Sequence, residues 1–269
     1  MKIMCALLAG MLLVASAVGS PIILNEYNAV DATKWLDKDP QSASDKSDTF
    51  FGRVVGNGGD WCEFAVVGDG SAMSTVDMRG WKIQIQDNWT SGAFTPSKTL
   101  VLSSDSYWSN VRAGTILTFS EDNLANNGAD TGINRVNSFD TLGYAWTNIW
   151  LGDTTYMASG SPAKVDISNN NTLFCVVDAG NNVVFGPAGE SISCTGIDSH
   201  SVLKLQADPT AAITPTGPGY AGGASSSFGA PNVWTVSGNS VAQSFTAFVP
   251  EPASLCLLAL GGLGLIRRR

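Results

Sequence analysis

Trp81-Lys82-Ile83-Gln84-Ile85-Gln86 alternates apolar and polar side chains without interruption, the period of a strand with one dry and one wet face. Trp81, Ile83 and Ile85 are thereby assigned to a core, and Lys82, Gln84 and Gln86 to solvent. Working outward, short β-branched or alternating runs recur at residues 22–27, 61–67, 99–102, 115–120, 172–178, 183–186, 201–206 and 243–249, separated by Gly, Asn and Asp clusters. Asp178-Ala179-Gly180-Asn181-Asn182 between two apolar runs predicts a hairpin, because Gly and Asn tolerate positive φ. A single helical turn is expected over residues 105–111, capped by Ser104 or Asp105. No amphipathic helix of useful length and no internal repeat interrupts this pattern, so the expected class is all-β. The stretch 209–231, dense in Pro, Gly and Ser, reads as a long surface loop before a last strand.

Composition agrees with that class and narrows the functions open to it. With 269 residues the chain can bury the core of one β-rich domain, and only 14% of it is charged against 29 glycines. A helical bundle or coiled coil is excluded. Setting aside Lys2, Glu251 and the three terminal arginines leaves 11 basic and 22 acidic residues, a net charge of −11 for residues 21–249. No basic cluster lies in that body, so nucleic acid is excluded as a partner.

Both ends read as addresses. Residues 1–19 form an expected signal peptide, with Lys2 in the n-region, an apolar run over 3–14, and small residues allowing cleavage after Ala17 or after Gly19. At the other end stand Val249-Pro250-Glu251-Pro252, an apolar run over 253–266, and Arg267, Arg268 and Arg269. The prolines hold the backbone extended and open to a processing enzyme. As a helix the apolar run covers about 21 Å, short of the roughly 30 Å hydrocarbon core, and the arginines hold its end in the cytoplasm. This arrangement over residues 250–269 resembles the PEP-CTERM sorting signal of Gram-negative bacteria. The resemblance implies an exosortase as partner, membrane contact only through the tail before processing, and a route by way of the inner membrane to the cell surface or extracellular matrix.

A second resemblance lies in the body. Ile23-Leu24-Asn25-Glu26-Tyr27-Asn28-Ala29, Trp61-Cys62-Glu63-Phe64, Asp77-Met78-Arg79-Gly80-Trp81, Ala113-Gly114-Thr115-Ile116, Val177-Asp178-Ala179-Gly180-Asn181 and Gly229-Ala230-Pro231-Asn232 are similar, piece by piece and in order, to the bacterial lamin-tail domain. That resemblance implies an immunoglobulin-like β-sandwich over residues 22–234 with long loops, followed by a last strand or spacer over 235–249. The family has no fixed catalytic residues, and its bacterial members look like surface or adhesion modules.

Candidate sites are few. His200, the single histidine, precedes an alternating strand and lacks a nucleophile-elbow glycine pattern, so it reads as a strand-edge residue. Glu26 and Glu63 lie on strands that can be neighbours, and paired carboxylates hydrolyse glycosides. Both alternate with apolar residues, which points to a wet face or a structural hydrogen bond. Asp31, Asp37, Asp39, Asp45 and Asp48 fall in one predicted surface loop whose oxygens suit calcium, although Asp37-Lys38-Asp39-Pro40 lacks the glycine of an EF-hand. The expectation is a solvated loop, with structural calcium as the alternative and no other cofactor. Trp89, Trp108, Trp146 and Trp150 lie in turn-rich segments where a sugar-stacking platform can form. Of the cysteines left after removal of both ends, Cys175 and Cys194 are expected to form a disulfide, since a hairpin and a returning segment can bring them into range. Cys62 is then a buried small hydrophobe.

The sequence thus reads as an exported, non-enzymatic surface or matrix protein. A carbohydrate-binding sandwich associated with extracellular polysaccharide is the alternative, and a glycoside hydrolase using Glu26 and Glu63 a third reading.

Overall fold

The computed structural model describes residues 19–37, 48–121 and 144–249. The expected signal peptide up to residue 18, the sorting tail with Pro250, Glu251, Pro252, Arg267, Arg268 and Arg269, and the loop residues Asp39 and Asp45 lie outside the described residues.

Fourteen strands occur among the described residues: β1 (Ile22–Asn28), β2 (Trp61–Val66), β3 (Thr75–Val76), β4 (Lys82–Gln86), β5 (Lys98–Val101), β6 (Val111–Arg112), β7 (Thr115–Ser120), β8 (Ala145–Trp150), β9 (Leu173–Val177), β10 (Val183–Gly189), β11 (Val202–Leu205), β12 (Tyr220–Gly223), β13 (Val233–Val236) and β14 (Asn239–Ala242). They build a six-stranded sheet in the order β12-β11-β1-β2-β7-β8 and a four-stranded sheet β10-β9-β4-β5, with two ribbons, β13-β14 and β3-β6. Pairing is antiparallel except between β7 and β8, which run parallel.

The two large sheets pack face to face. Phe174 of β9 meets Tyr27 of β1 at 5.1 Å and Phe64 of β2 at 6.2 Å between ring centroids, and Phe119 of β7 lies 6.2 Å from Phe64. Ile83 and Ile85 of β4 join that core while Lys82, Gln84 and Gln86 are half-buried on the far side, as their alternation predicts. The all-β sandwich is therefore correct.

Eight of the nine expected strands are present. The helical turn is a 3-10 helix over Ser106–Asn110, capped by Asp105, whose carboxylate accepts from the Tyr107 amide at 2.8 Å. Differences concentrate toward the C-terminus. Residues 243–249 form no strand: Thr246–Phe248 is a 3-10 turn that buries Phe248 beside Phe245, because those aromatics dock into the core rather than onto a sheet edge. The Gly- and Ser-rich stretch 209–231 is not all loop, since Tyr220–Gly223 pairs with β11 as an edge strand. Tyr220 secures that strand by donating from its hydroxyl to the Leu24 carbonyl at 2.8 Å.

The expected Cys175–Cys194 disulfide is absent: both are free thiols, as is Cys62. Phe174 and Val176 face the core, so Cys175 between them points to the opposite face of the sheet, whereas Cys194 packs against the core. Burial raises the thiol pKa of Cys175 and of Cys194 to about 11. Cys62 is a fully buried member of the core.

Because Phe174 touches both Tyr27 and Phe64 across the sheets, Phe174→Ala is expected to lower unfolding free energy by about 3–5 kcal/mol. Phe174→Leu should cost less than half of that. Urea unfolding of the two variants measures both.

Candidate functional site

The sequence of β1 alternates imperfectly, and the structure gives the reason. Leu24 pairs with Phe64 and Glu26 with Glu63, so Asn25 is an extra residue, a bulge, on β1. A bulge reverses which face each later side chain takes. Leu24 and Tyr27 thus both point into the core, while Asn25 and Glu26 both point to the outer face of the six-stranded sheet.

On that outer face five polar side chains form one register row across five strands: Lys204 on β11, Glu26 on β1, Glu63 on β2, Thr118 on β7 and Asn148 on β8. None is more than 2% exposed, and residues 225–232, with Gln243 and the turn at Asp48, cover them. Lys204 Nζ donates to the Ser225 carbonyl, the Ser225 hydroxyl and the Val233 carbonyl at 2.9, 2.8 and 2.7 Å. Glu63 accepts from the Asn25 side chain at 2.6 Å and from the Gly229 amide at 2.7 Å. Glu26 accepts from the Ser227 hydroxyl at 3.0 Å. Asp48 accepts from the Ser226 hydroxyl and from the amides of Phe228, Phe50 and Phe51. Asn232 donates to the carbonyls of Asn25 and Leu205 at 3.1 and 3.0 Å. Gln243 reaches the Asn25 side chain and the Ala207 carbonyl at 2.9 and 2.8 Å.

An aromatic cluster closes one end of this strap. Phe228 lies 4.7 Å from Phe51, 5.0 Å from Trp61 and 5.5 Å from both Phe50 and Trp146. Gly229 follows at φ +72°, and a Cβ there would come within 2.2 Å of the Trp146 ring, so only glycine brings this amide to Glu63.

Three carboxyls and one ammonium share a dry layer, and burial governs their titration. Burial pushes Glu26 up to about 7, with Lys204 drawing it back and Asp48 raising it further. Glu63 is held well above the usual carboxylate range by burial and by Glu26. Asp48 is raised by burial, and Lys204 is lowered by burial, against the pull of Glu26.

Above the strap opens a cleft of about 670 Å³, lined by Thr49, Gln206, Ser225, Trp234 and Thr235, with Lys204 and Asp48 at its base. Glu26 and Glu63 are fully buried and bonded to the strap, which is the structural hydrogen bonding their sequence context allowed. A general acid must reach its substrate, and neither carboxyl reaches solvent.

The remaining sequence candidates are dispersed. Asp31 caps its own turn, accepting from the Thr33 amide and hydroxyl at 2.9 and 2.8 Å. Asp37 pairs with Arg53 at 3.3 Å. Asp48, expected on a solvated loop, is instead buried in the polar layer, because four hydrogen-bond donors converge on it. His200 places Nδ1 2.8 Å from the Trp35 carbonyl, a structural role. Of the four tryptophans, Trp108 is buried in the core beside Phe119, Trp146 packs into the Phe228 cluster, and Trp89 and Trp150 are half-buried. Sequence reasoning missed Lys204, Asn232 and Gln243. Lys204 left a trace as the single charge inside the apolar run Val202-Leu203-Lys204-Leu205, and Asn232 one within the Gly229-Ala230-Pro231-Asn232 piece.

The described residues end at Val249. Residues 248–269 match the PEP-CTERM protein-sorting motif. The motif makes this an exported protein sorted by an exosortase, a membrane enzyme, on a route toward the cell surface. No curated protein and no solved structure matches the chain.

Glu26 titrates lower in the unfolded chain than in the folded one, so the folded state binds more protons between about pH 4.5 and 7, and stability falls as pH rises through that window. Melting temperature is expected to be higher at pH 5 than at pH 8, with the difference reduced in Glu26→Gln. Lys204→Met leaves buried carboxyls without their cation and is expected to cost about 3–5 kcal/mol at pH 7, read by chemical denaturation.

Proposed function

We propose that this is a non-enzymatic surface or extracellular-matrix protein, carried out of the cell by its signal peptide and released by exosortase cleavage near Pro250-Glu251-Pro252. The body is read as a lamin-tail-like, immunoglobulin-type sandwich spanning residues 22–234. The observation that carries this reading is the consumption of the paired carboxyls: Glu26 and Glu63 serve to clamp the C-terminal strap onto the sheet, which leaves a stable display module rather than an acid/base pair. It is supported by the convergence of scattered lamin-tail-like pieces, since Asn25, Glu26, Glu63, Gly229 and Asn232 meet in one hydrogen-bonded layer. The anchoring of Asn232 and Gln243 to that layer makes residues 235–249 an extension of the domain, bringing the chain to the cleavage segment directly from a packed core.

A second reading, binding of extracellular polysaccharide, is favoured by the cleft beside Trp234, which offers a half-buried indole next to hydroxyl and amide groups. Glycan-array binding that is lost in Trp234→Ala, with folding intact, would select it over the display role.

The processing step is tested by mass spectrometry of the exported protein. The expected product ends near Pro252. Replacing Pro250 and Pro252 with Ala lets helix propagate out of the apolar run and hides the cleavage segment, so precursor should accumulate in the membrane fraction. Recovery of peptides through Leu265 from the extracellular fraction would show an uncleaved tail.

A further inference from the structure

The strand register brings together carboxylates that are far apart in sequence and play no part in the polar layer. Asp60 immediately precedes β2 and Glu121 immediately follows β7. Because Trp61 pairs with Ser120 in antiparallel register, the two acids stand side by side at one end of adjacent strands. Asp166, from the segment before β9, approaches the same point. One carboxylate oxygen from each of the three lies within 4.8 Å of the others.

Like charges this close in a half-dry site repel unless something positive lies between them. Burial and the two neighbouring acids push Asp60 up to about 7, and burial raises Glu121 as well. Two cations act from the rim and neither sits among the three acids within hydrogen-bond distance: Lys164 draws Glu121 down against burial, and Lys98 Nζ sits 3.1 Å from Asp87 and 2.8 Å from the Asp166 carbonyl, with only a long 3.9 Å ion pair to the Asp166 carboxylate. A second observation points to a missing ligand. Glu121 is 6% exposed, and although the amides of Val165 and Asp60 face its carboxyl, its Oε2 is buried with no hydrogen-bond partner. An orphaned, buried carboxylate oxygen is costly in any stable fold.

The geometry points to a divalent cation site formed by Asp60, Glu121 and Asp166, with calcium the ion it suits. The donor set is all oxygen, which selects hard cations over zinc or copper. Two oxygens on one calcium ion, each 2.3–2.6 Å from it, span at most about 5 Å, whereas magnesium at 2.0–2.1 Å brings them within about 4.2 Å. Oxygens within 4.8 Å of one another fall inside the calcium span. The site ties the start of β2 and the end of β7 to the segment before β9, and so links the two sheets at one end.

Isothermal titration of the exported, chelator-treated protein with calcium chloride, and separately with magnesium chloride, tests this. The expected result is one calcium per chain with a dissociation constant on the order of 10⁻⁴–10⁻³ M, weaker binding of magnesium, and a melting temperature that rises with calcium. Asp166→Asn, at an exposed position, and Glu121→Gln should each weaken binding more than about tenfold, while Asp31→Asn leaves it intact. If Glu121→Gln fails to fold, Asp166→Asn alone carries the comparison. The proposal is overturned if the protein shows neither heat nor a melting shift up to about 10 mM calcium. It is overturned equally if binding survives Asp166→Asn unchanged, or if Asp31→Asn abolishes it, which would move the ion to the loop over residues 31–48.

Discussion

A lysine ammonium removed from water must find acceptors for its protons, and Lys204 finds all of them in the segment that follows its own sheet. The two carbonyls and one hydroxyl that hold it belong to Ser225 and Val233, and Glu26 stands opposite in register. A charge placed this way constrains the chain around it. It fixes the register of the C-terminal strap, because covering this face along any other path would leave the ammonium and two glutamates desolvated without partners. The aromatic cluster around Phe228 and the docking of Asn232 and Gln243 build on that placement.

The same layer explains how a sandwich can be covered on an outer face without a second apolar core. Four of the six strands of the larger sheet would present Lys204, Glu26, Glu63 and Thr118 to solvent, as an antiparallel sheet with one wet face ordinarily does. Here the strap supplies backbone amides, hydroxyls and carboxamides in the right number, so polar groups are buried and satisfied together. Such a network rewards complete assembly and penalises partial assembly, which suits an exported protein. Beyond the strap the chain stays packed as far as the buried Phe248, so the folded body ends within a few residues of the processing segment.

Much of the architecture is legible in the linear pattern. Alternation in residues 81–86, β-branched runs such as 115–120, and the Asp178 to Asn182 turn are local properties, decided by side-chain period and backbone preference within a few residues, and the strands appear where they are expected. The tail motif is equally local, since two prolines, an apolar run and three arginines act through their order alone. Where the reading failed, a distant partner decided the outcome. Tyr220–Gly223 becomes a strand because β11 offers an unpaired edge and Leu24 a carbonyl for the tyrosine hydroxyl. Residues 243–249 leave the sheet because Phe245 and Phe248 are buried elsewhere.

Periodicity and motif order are therefore enough for the all-β class, the positions of most strands and export through the sorting motif. Only the tertiary structure decided the roles of the acids. The bulge at Asn25 turns Glu26 outward and Tyr27 inward, a one-residue change of register that composition and alternation do not encode, since a bulge depends on what lies across the strand. Cys175 and Cys194 are separated for the same reason, one residue's parity on β9 placing a thiol on the far face. Asp48 meets Ser226 and Glu63 meets Gly229 across more than 160 residues, and Lys204 meets Ser225 and Val233 across 21 and 29, according to how the sheets close. Burial and charge proximity are properties of that closure, so the chemistry of these groups exists only in the folded chain.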